Sequence, residues 1–280
     1  MPIADDLDDH ALAADLAERA GKLLLDLRAK GGAPDVLRNA GDKESHEFLM
    51  AELAKARPDD AVLSEEGIDD KARLTADRVW IVDPLDGTRE FGEPGRSDWA
   101  VHVALWARTA SAPEGDLIAG AVALPAQNRV LATTAKPETT GNPRPVGDLH
   151  RADETAATNG DEEVERPLRM VVSRTRASDL VKTVAARIGA ELVACGSAGA
   201  KVATVVLGEN DVYLHSGGFY EWDTAAPVAV ARQRGFHVSR IDGSPVVYNQ
   251  ENPLLPDILV CRPANAPAAL SAIREATYAI

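Results

Sequence analysis

From residue 83 to residue 88 the chain reads Asp-Pro-Leu-Asp-Gly-Thr, a run in which every residue type suits the handling of a cation and an anion together. Val79-Trp80-Ile81-Val82 just before it reads as a buried strand, so Asp83 stands where the chain leaves a sheet. Pro84 has no N–H and fixes its own φ, which predicts a tight turn that brings the Asp83 and Asp86 carboxylates together. Two carboxylates so placed repel unless a cation or a shared proton intervenes. Hard oxygen donors with no neighbouring His or Cys favour Mg²⁺, which keeps waters of its own and takes phosphate oxygens. Gly87 permits close approach of backbone to a ligand, and the N–H groups of Gly87 and Thr88 could receive an anion. Taken singly, an Asp-Pro or an Asp-Gly is a strand-ending turn. Six residues suited to one chemistry outweigh that reading.

The elements that must carry this loop can be read from periodicity. Leu12, Leu16, Ala20, Leu23, Leu24 and Leu27 predict a helix from Asp9 to Lys30, closed by Gly31-Gly32. A second helix is expected from near Asp42 to Arg57, with Phe48, Leu49 and Leu53 inward. Strand-like runs follow at Ala61–Leu63, Val79–Val82, Ala100–Trp106, Leu117–Leu124 and Arg129–Thr133, an antiparallel stretch. The second half alternates: strands at Leu168–Ser173, Glu191–Ala194, Asp211–Leu214, Phe236–Ser239 and Ile258–Cys261, helices near Ser178–Ile188, Ala198–Leu207 and Asp223–Arg234, and a last helix from Pro267. These patterns imply an α+β protein in layers, with an N-terminal subdomain over residues 1–135 and a C-terminal one over 168–280. Between them, residues 136–167 carry four prolines and the cluster Asp161-Glu162-Glu163, and read as an exposed insertion or linker.

The formal net charge of −14 argues against a nucleic-acid or membrane partner, both of which need a basic face. It also opposes the approach of an anionic substrate, unless bound cations reverse the sign locally. Cys195 and Cys261 are the only cysteines, and the acidic start lacks the pattern of a signal peptide, so a reducing cytoplasm is expected.

The haloacid-dehalogenase pattern Asp-x-Asp-x-Thr does not fit, because aligning Asp86 and Thr88 puts Pro84 where the nucleophilic carboxylate belongs. Trp80 to Thr88, the distant Trp222-Asp223 and the upstream Glu65-Glu66 resemble instead the three-part signature of the inositol monophosphatase superfamily. That resemblance spans most of Asp9 to Tyr278 and implies the family's layered αβαβα sandwich, shared with sugar phosphatases. It implies that Glu65, Asp83, the Leu85 carbonyl, Asp86 and Asp223 bind two or three Mg²⁺ ions, with Mn²⁺ able to substitute, and that Li⁺ inhibits. Asp42 would polarise Thr88, which orients a metal-activated water for direct in-line attack on phosphorus. Read alone, Glu65-Glu66 is a solvated strand end, and Asp42 and Asp223 are helix N-caps. The six histidines fall outside the motifs and read as structural or surface residues.

Within the superfamily the chain is most similar to the CysQ-type 3′(2′),5′-bisphosphate nucleotidases. The similarity rests on Arg89-Glu90-Phe91, Ser173-Arg174, Gly196-Ser197 with Lys201, and Glu221 to Pro227. It implies removal of the 3′-phosphate of 3′-phosphoadenosine 5′-phosphate, and of 3′-phosphoadenylyl sulfate, in sulfur assimilation. Gly87, Thr88, Ser173, Arg174, Gly196, Ser197 and Lys201 would then contact substrate, with Arg174 as a bidentate fork for the second phosphate. Aromatic residues make up 4% of the chain, and no base-stacking platform is legible. The alternatives are inositol monophosphatase or fructose 1,6-bisphosphatase activity and, from another class, a non-catalytic nucleotide or metal sensor. Family members are commonly dimeric, which makes a homodimer an expectation.

Overall fold

A computed structural model describes residues 7–134, 166–175 and 177–278. The N-terminal half builds helices α1 (Asp9–Lys30) and α2 (Pro34–Ala56), strands β1 (Ala61–Ser64) and β2 (Arg78–Asp86), the short helix α3 (Thr88–Gly92), and strands β3 (Ala100–Thr109), β4 (Ala112–Leu124) and β5 (Arg129–Ala132). The C-terminal half alternates β6 (Arg169–Ser173), α4 (Asp179–Arg187), β7 (Glu191–Cys195), α5 (Ala198–Val206), β8 (Val212–Tyr220), α6 (Glu221–Gln233), β9 (His237–Ser239), β10 (Leu254–Cys261) and α7 (Ala266–Tyr278). The expected insertion at 136–167 lies outside the described residues, apart from Arg166 and Pro167.

The side-chain alternation of strands dictates the layering. Trp80 and Val82 of β2 join Val101 and Val103 of β3 in a core closed by Leu12, Leu16 and Leu24 of α1 and Leu49 and Leu53 of α2. Val79 and Ile81 face the other way, into a core shared with Val202 and Val205 of α5, Ala225 and Val228 of α6, and Val171, Tyr213 and Ile258 of the second sheet. The far face of that sheet, with Met170, Val212 and Leu259, packs on Val181 and Val184 of α4 and Ile273 of α7. The order is therefore α1α2, sheet, α5α6, sheet, α4α7: an αβαβα sandwich, as expected.

The first sheet runs β1-β2-β3-β4-β5 and the second β7-β6-β8-β10-β9. In the first, β1 pairs parallel to β2, so the expected antiparallel stretch begins only with β2.

Two local expectations change. α2 starts at Pro34, not near Asp42, because Pro34 sits at the first helical turn, where its missing N–H costs nothing. Asp42 is therefore a mid-helix residue, which removes its reading as an N-cap. β2 also does not turn away at Pro84. It continues to Asp86 across a pairing irregularity, with Asp83 opposite His102 and Asp86 opposite Ala100. Three steps along β2 match two along β3, so one extra residue is accommodated as a bulge, where a proline loses no ladder bond.

Candidate active site

The bulge aims both aspartates at a cleft of about 240 Å³ between the two sheets' loop ends. Asp83 is fully buried, and one of its oxygens accepts the Leu85 N–H at 3.0 Å. Asp86 is held by the first turn of α5: its Oδ2 accepts the Ser197 hydroxyl at 2.5 Å and the Gly199 N–H at 2.7 Å, with His102 Nε2 at 3.2 Å. Burial alone would raise the Asp86 carboxyl, but His102, Lys201 and the Ser197 hydroxyl outweigh it and hold it down to about 2. An N-terminal helix turn facing a carboxylate works in the same direction.

Asp223 arrives from the opposite side of the chain on the first turn of α6, where its Oδ2 accepts the Tyr220 N–H at 2.6 Å. It therefore does cap its helix, from the third helical position and not from the N-cap. Pro227 cannot donate to the Asp223 carbonyl four residues back, which loosens this turn from the helix it begins. One ligand atom each from Asp83, Asp86 and Asp223 lies within 4.8 Å of the others. Glu65 is outside that trio and exposed as a residue, yet it lines the same cleft and its carboxyl interacts with that of Asp83. Burial first, then the charges of Asp223, Asp86 and Glu66, push Glu65 up to about 7. Asp83 is pushed well above the usual carboxylate range by burial first, then by the charges of Glu65, Asp86 and Asp223. The cluster is thus short of positive charge. Its donors are hard oxygens throughout, so the residues present fit a divalent cation.

Beside the trio, Thr88 Oγ1 lies 3.1 Å from Asp42 Oδ1 and 3.1 Å from the Leu85 carbonyl. Burial and the charge of Glu66 raise Asp42 to about 6, against the opposing hydrogen bond from Thr88. Gly87, at φ 85°, ends β2 and starts α3. Ser173, Arg174, Gly196, Ser197 and Lys201 line the same cleft as Glu65, Asp83, Leu85, Asp86, Gly87, Thr88 and Asp223, with Asp42 joined to it through Thr88.

The two cations are not free forks, however. Arg174 donates to Glu90 at 2.8 Å and to both oxygens of Glu93 at 3.0 and 2.8 Å. Lys201 donates to the Ser197 carbonyl at 2.8 Å and to the Gly196 carbonyl. Sequence spacing could not reveal the carboxylate partners of Arg174, which lie more than eighty residues away in and just after α3, whereas the carbonyls that hold Lys201 belong to the start of its own helix.

Two further features escaped sequence reasoning. His102, one of the histidines read as structural or surface residues, is fully buried against Asp86. The strand alternation of β3, with His102 between apolar Val101 and Val103, was the one signal for it. Tyr213, His215 and Phe219 of β8 also line the cleft, with the His215 and Phe219 rings 4.7 Å apart and tilted by 33°. An aromatic platform therefore exists despite the low aromatic content. Cys195 lines the cleft too, but burial pushes its thiol up to about 11, so it is no thiolate at neutral pH.

Fold and site together define the class: the chain belongs to the inositol monophosphatase family, whose profile matches residues 9–278. Among individual relatives, a Mycobacterium leprae protein named 3′-phosphoadenosine 5′-phosphate phosphatase is 47% identical over 276 residues, covering 96% of this chain and 95% of the relative. The Escherichia coli 3′(2′),5′-bisphosphate nucleotidase CysQ is 30% identical over 217 residues, covering 77% of this chain and 81% of the relative. The crystal structure of CysQ from Bacteroides thetaiotaomicron superposes with a TM-score of 0.70 at 26% identity, covering 92% of this chain and 98% of that one. Among the described residues, no helix is long and apolar enough to cross a membrane.

Proposed function

We propose that this chain is a Mg²⁺-dependent phosphatase that removes the 3′-phosphate of 3′-phosphoadenosine 5′-phosphate. The observation that carries the chemistry is the carboxylate trio of Asp83, Asp86 and Asp223, with Glu65 against Asp83. The names borne by relatives at 47% and 30% identity supply the substrate. Glu65, Asp83, the Leu85 carbonyl, Asp86 and Asp223 would hold the ions. Divalent cations held there neutralise the phosphate, polarise its P–O bonds and make a nearby water more acidic.

The chain's own residues do the positioning. Ionised Asp42 accepts the Thr88 hydroxyl proton, which leaves the Thr88 oxygen lone pairs to accept from water and fix its direction of attack. With Asp42 protonated, the Thr88 proton turns to the Leu85 carbonyl and that direction is lost. Ser173, Ser197 and Lys201 line the wall where the rest of the substrate lies. Arg174 would reach the second phosphate by exchanging its exposed partner Glu93 for the phosphate while keeping Glu90. The tilted pair His215 and Phe219 offers a face to adenine.

Comparing kcat/KM on 3′-phosphoadenosine 5′-phosphate, inositol 1-phosphate and fructose 1,6-bisphosphate with Mg²⁺ tests this reading. The nucleotide is expected to lead clearly. Equal or better turnover of inositol 1-phosphate or the sugar would place the chain with the other phosphatases of its family.

A further inference from the structure

His102 stands where β2, β3, α5 and the first turn of α6 meet. Its Cα pairs with that of Asp83 across the β2–β3 ladder, and its side chain is fully buried. Nδ1 lies 3.1 Å from the Trp222 carbonyl, an acceptor only, so Nδ1 carries a hydrogen and donates it. Nε2 lies 3.2 Å from Asp86 Oδ2, a close contact without hydrogen-bond geometry. On the third side, a Cβ added at Gly199 would come within 2.0 Å of Nε2, so α5 approaches this closely only because residue 199 has no side chain.

The consequence is geometric. Asp86 comes from β2 and Asp223 from the first turn of α6. Trp222 precedes Asp223 in the turn that Pro227 has loosened, and His102 binds its carbonyl. We infer that His102 is a positioning residue: bridging Asp86 to the Trp222 carbonyl, it sets the spacing between Asp86 and Asp223 that a divalent cation requires. Groups that orient metal ligands from behind commonly matter about 10- to 100-fold in metal affinity. The inference rests on the cation reading of the trio proposed above.

Mn²⁺ alone, titrated into the substrate-free protein and followed by the EPR signal of the free ion, tests it. His102→Asn puts an amide nitrogen near the place of Nδ1 and keeps the Trp222 bond while withdrawing from Asp86. His102→Gln reaches toward Asp86 and releases Trp222. Each folded variant is expected to bind Mn²⁺ at least about tenfold more weakly than the wild type. A residue that served stability alone would lower the melting temperature and leave Mn²⁺ affinity within about twofold, and that result overturns the proposal. Should both variants fail to fold, Gly199→Ala displaces the ring without removing it, and the same tenfold loss or twofold constancy decides. A wild-type protein that binds no Mn²⁺ sinks the cation reading and this inference together. Wild-type binding with unchanged variants sinks this inference alone.

Discussion

At the residue scale, what distinguishes this site is that neighbouring carboxylates are held in opposite states. Asp86, wrapped by Ser197, Gly199 and His102, stays ionised, while Asp83 and Glu65 are driven toward their protonated forms by burial and by one another. A cation replaces those protons, so Asp83→Asn, which keeps the shape and removes the charge, is expected to reduce phosphate release to background. Wild-type turnover in that variant would remove Asp83 from the site. Asp42 makes a separate prediction. With its carboxyl raised to about 6, activity should fall as pH drops through that value, because protonated Asp42 no longer draws the Thr88 proton. Asp42→Asn should lower kcat by roughly 10²-fold or more and flatten the acid limb of the pH profile. A retained limb in the variant would assign it to another group.

At the element scale, the site depends on how closely α2, α5 and α6 approach the end of β2. Gly41 lets α2 lie against Leu85 and Phe91, since a Cβ there would stand 2.8 Å from side-chain atoms of both, and both are buried. Gly41→Ala gains about 1 kcal/mol of helix propensity but overpacks a filled core at a cost of about 1–3 kcal/mol, so a net loss in chemical denaturation is expected. Asp42, the next residue, should shift away from Thr88 and lower kcat with it; an unchanged kcat would show that the contact is not needed. Much of this was legible beforehand. α1 keeps the bounds that its leucine spacing predicts, and Asp83, Asp86 and the distant Asp223 come within reach of one another. The start of α2 was not legible, because Pro34 and Gly41 both read as breakers when the first helical turn and the packing on Phe91 are unseen. Nor was the bulge at Pro84, which a proline rule reads as a turn and a neighbouring strand turns into a pairing defect. The engagement of Arg174 by Glu90 and Glu93, and of His102 by Asp86, joins positions more than fifteen residues apart, where local patterns carry no information.

At the scale of the whole molecule, an acidic protein must accept a more acidic substrate. With a formal charge of −14 the long-range field repels a bisphosphate, and only cations in the cleft can reverse it. The same cluster gives the metal-free chain a characteristic pH dependence. Glu65 is raised from 4.5 to about 7, so the fold holds its proton longer than the unfolded chain does. Its contribution to stability is full below the lower value and is lost as pH rises through the higher one. Mg²⁺ should therefore raise the melting temperature more at about pH 8 than at about pH 5, because binding displaces fewer protons there. A Mg²⁺ effect that is constant or shrinks with pH would contradict this. For the substrate, Phe219→Ala should raise KM for 3′-phosphoadenosine 5′-phosphate and spare inositol 1-phosphate, which has no base to stack; equal losses on both would remove Phe219 from nucleotide recognition. The most direct test is phosphate release from 3′-phosphoadenosine 5′-phosphate before chelation, after it, and after Mg²⁺ is restored. The account predicts that release stops with the chelator and returns with the ion, with Asp83→Asn silent throughout. Steady release at the wild-type rate in the presence of chelator would contradict it.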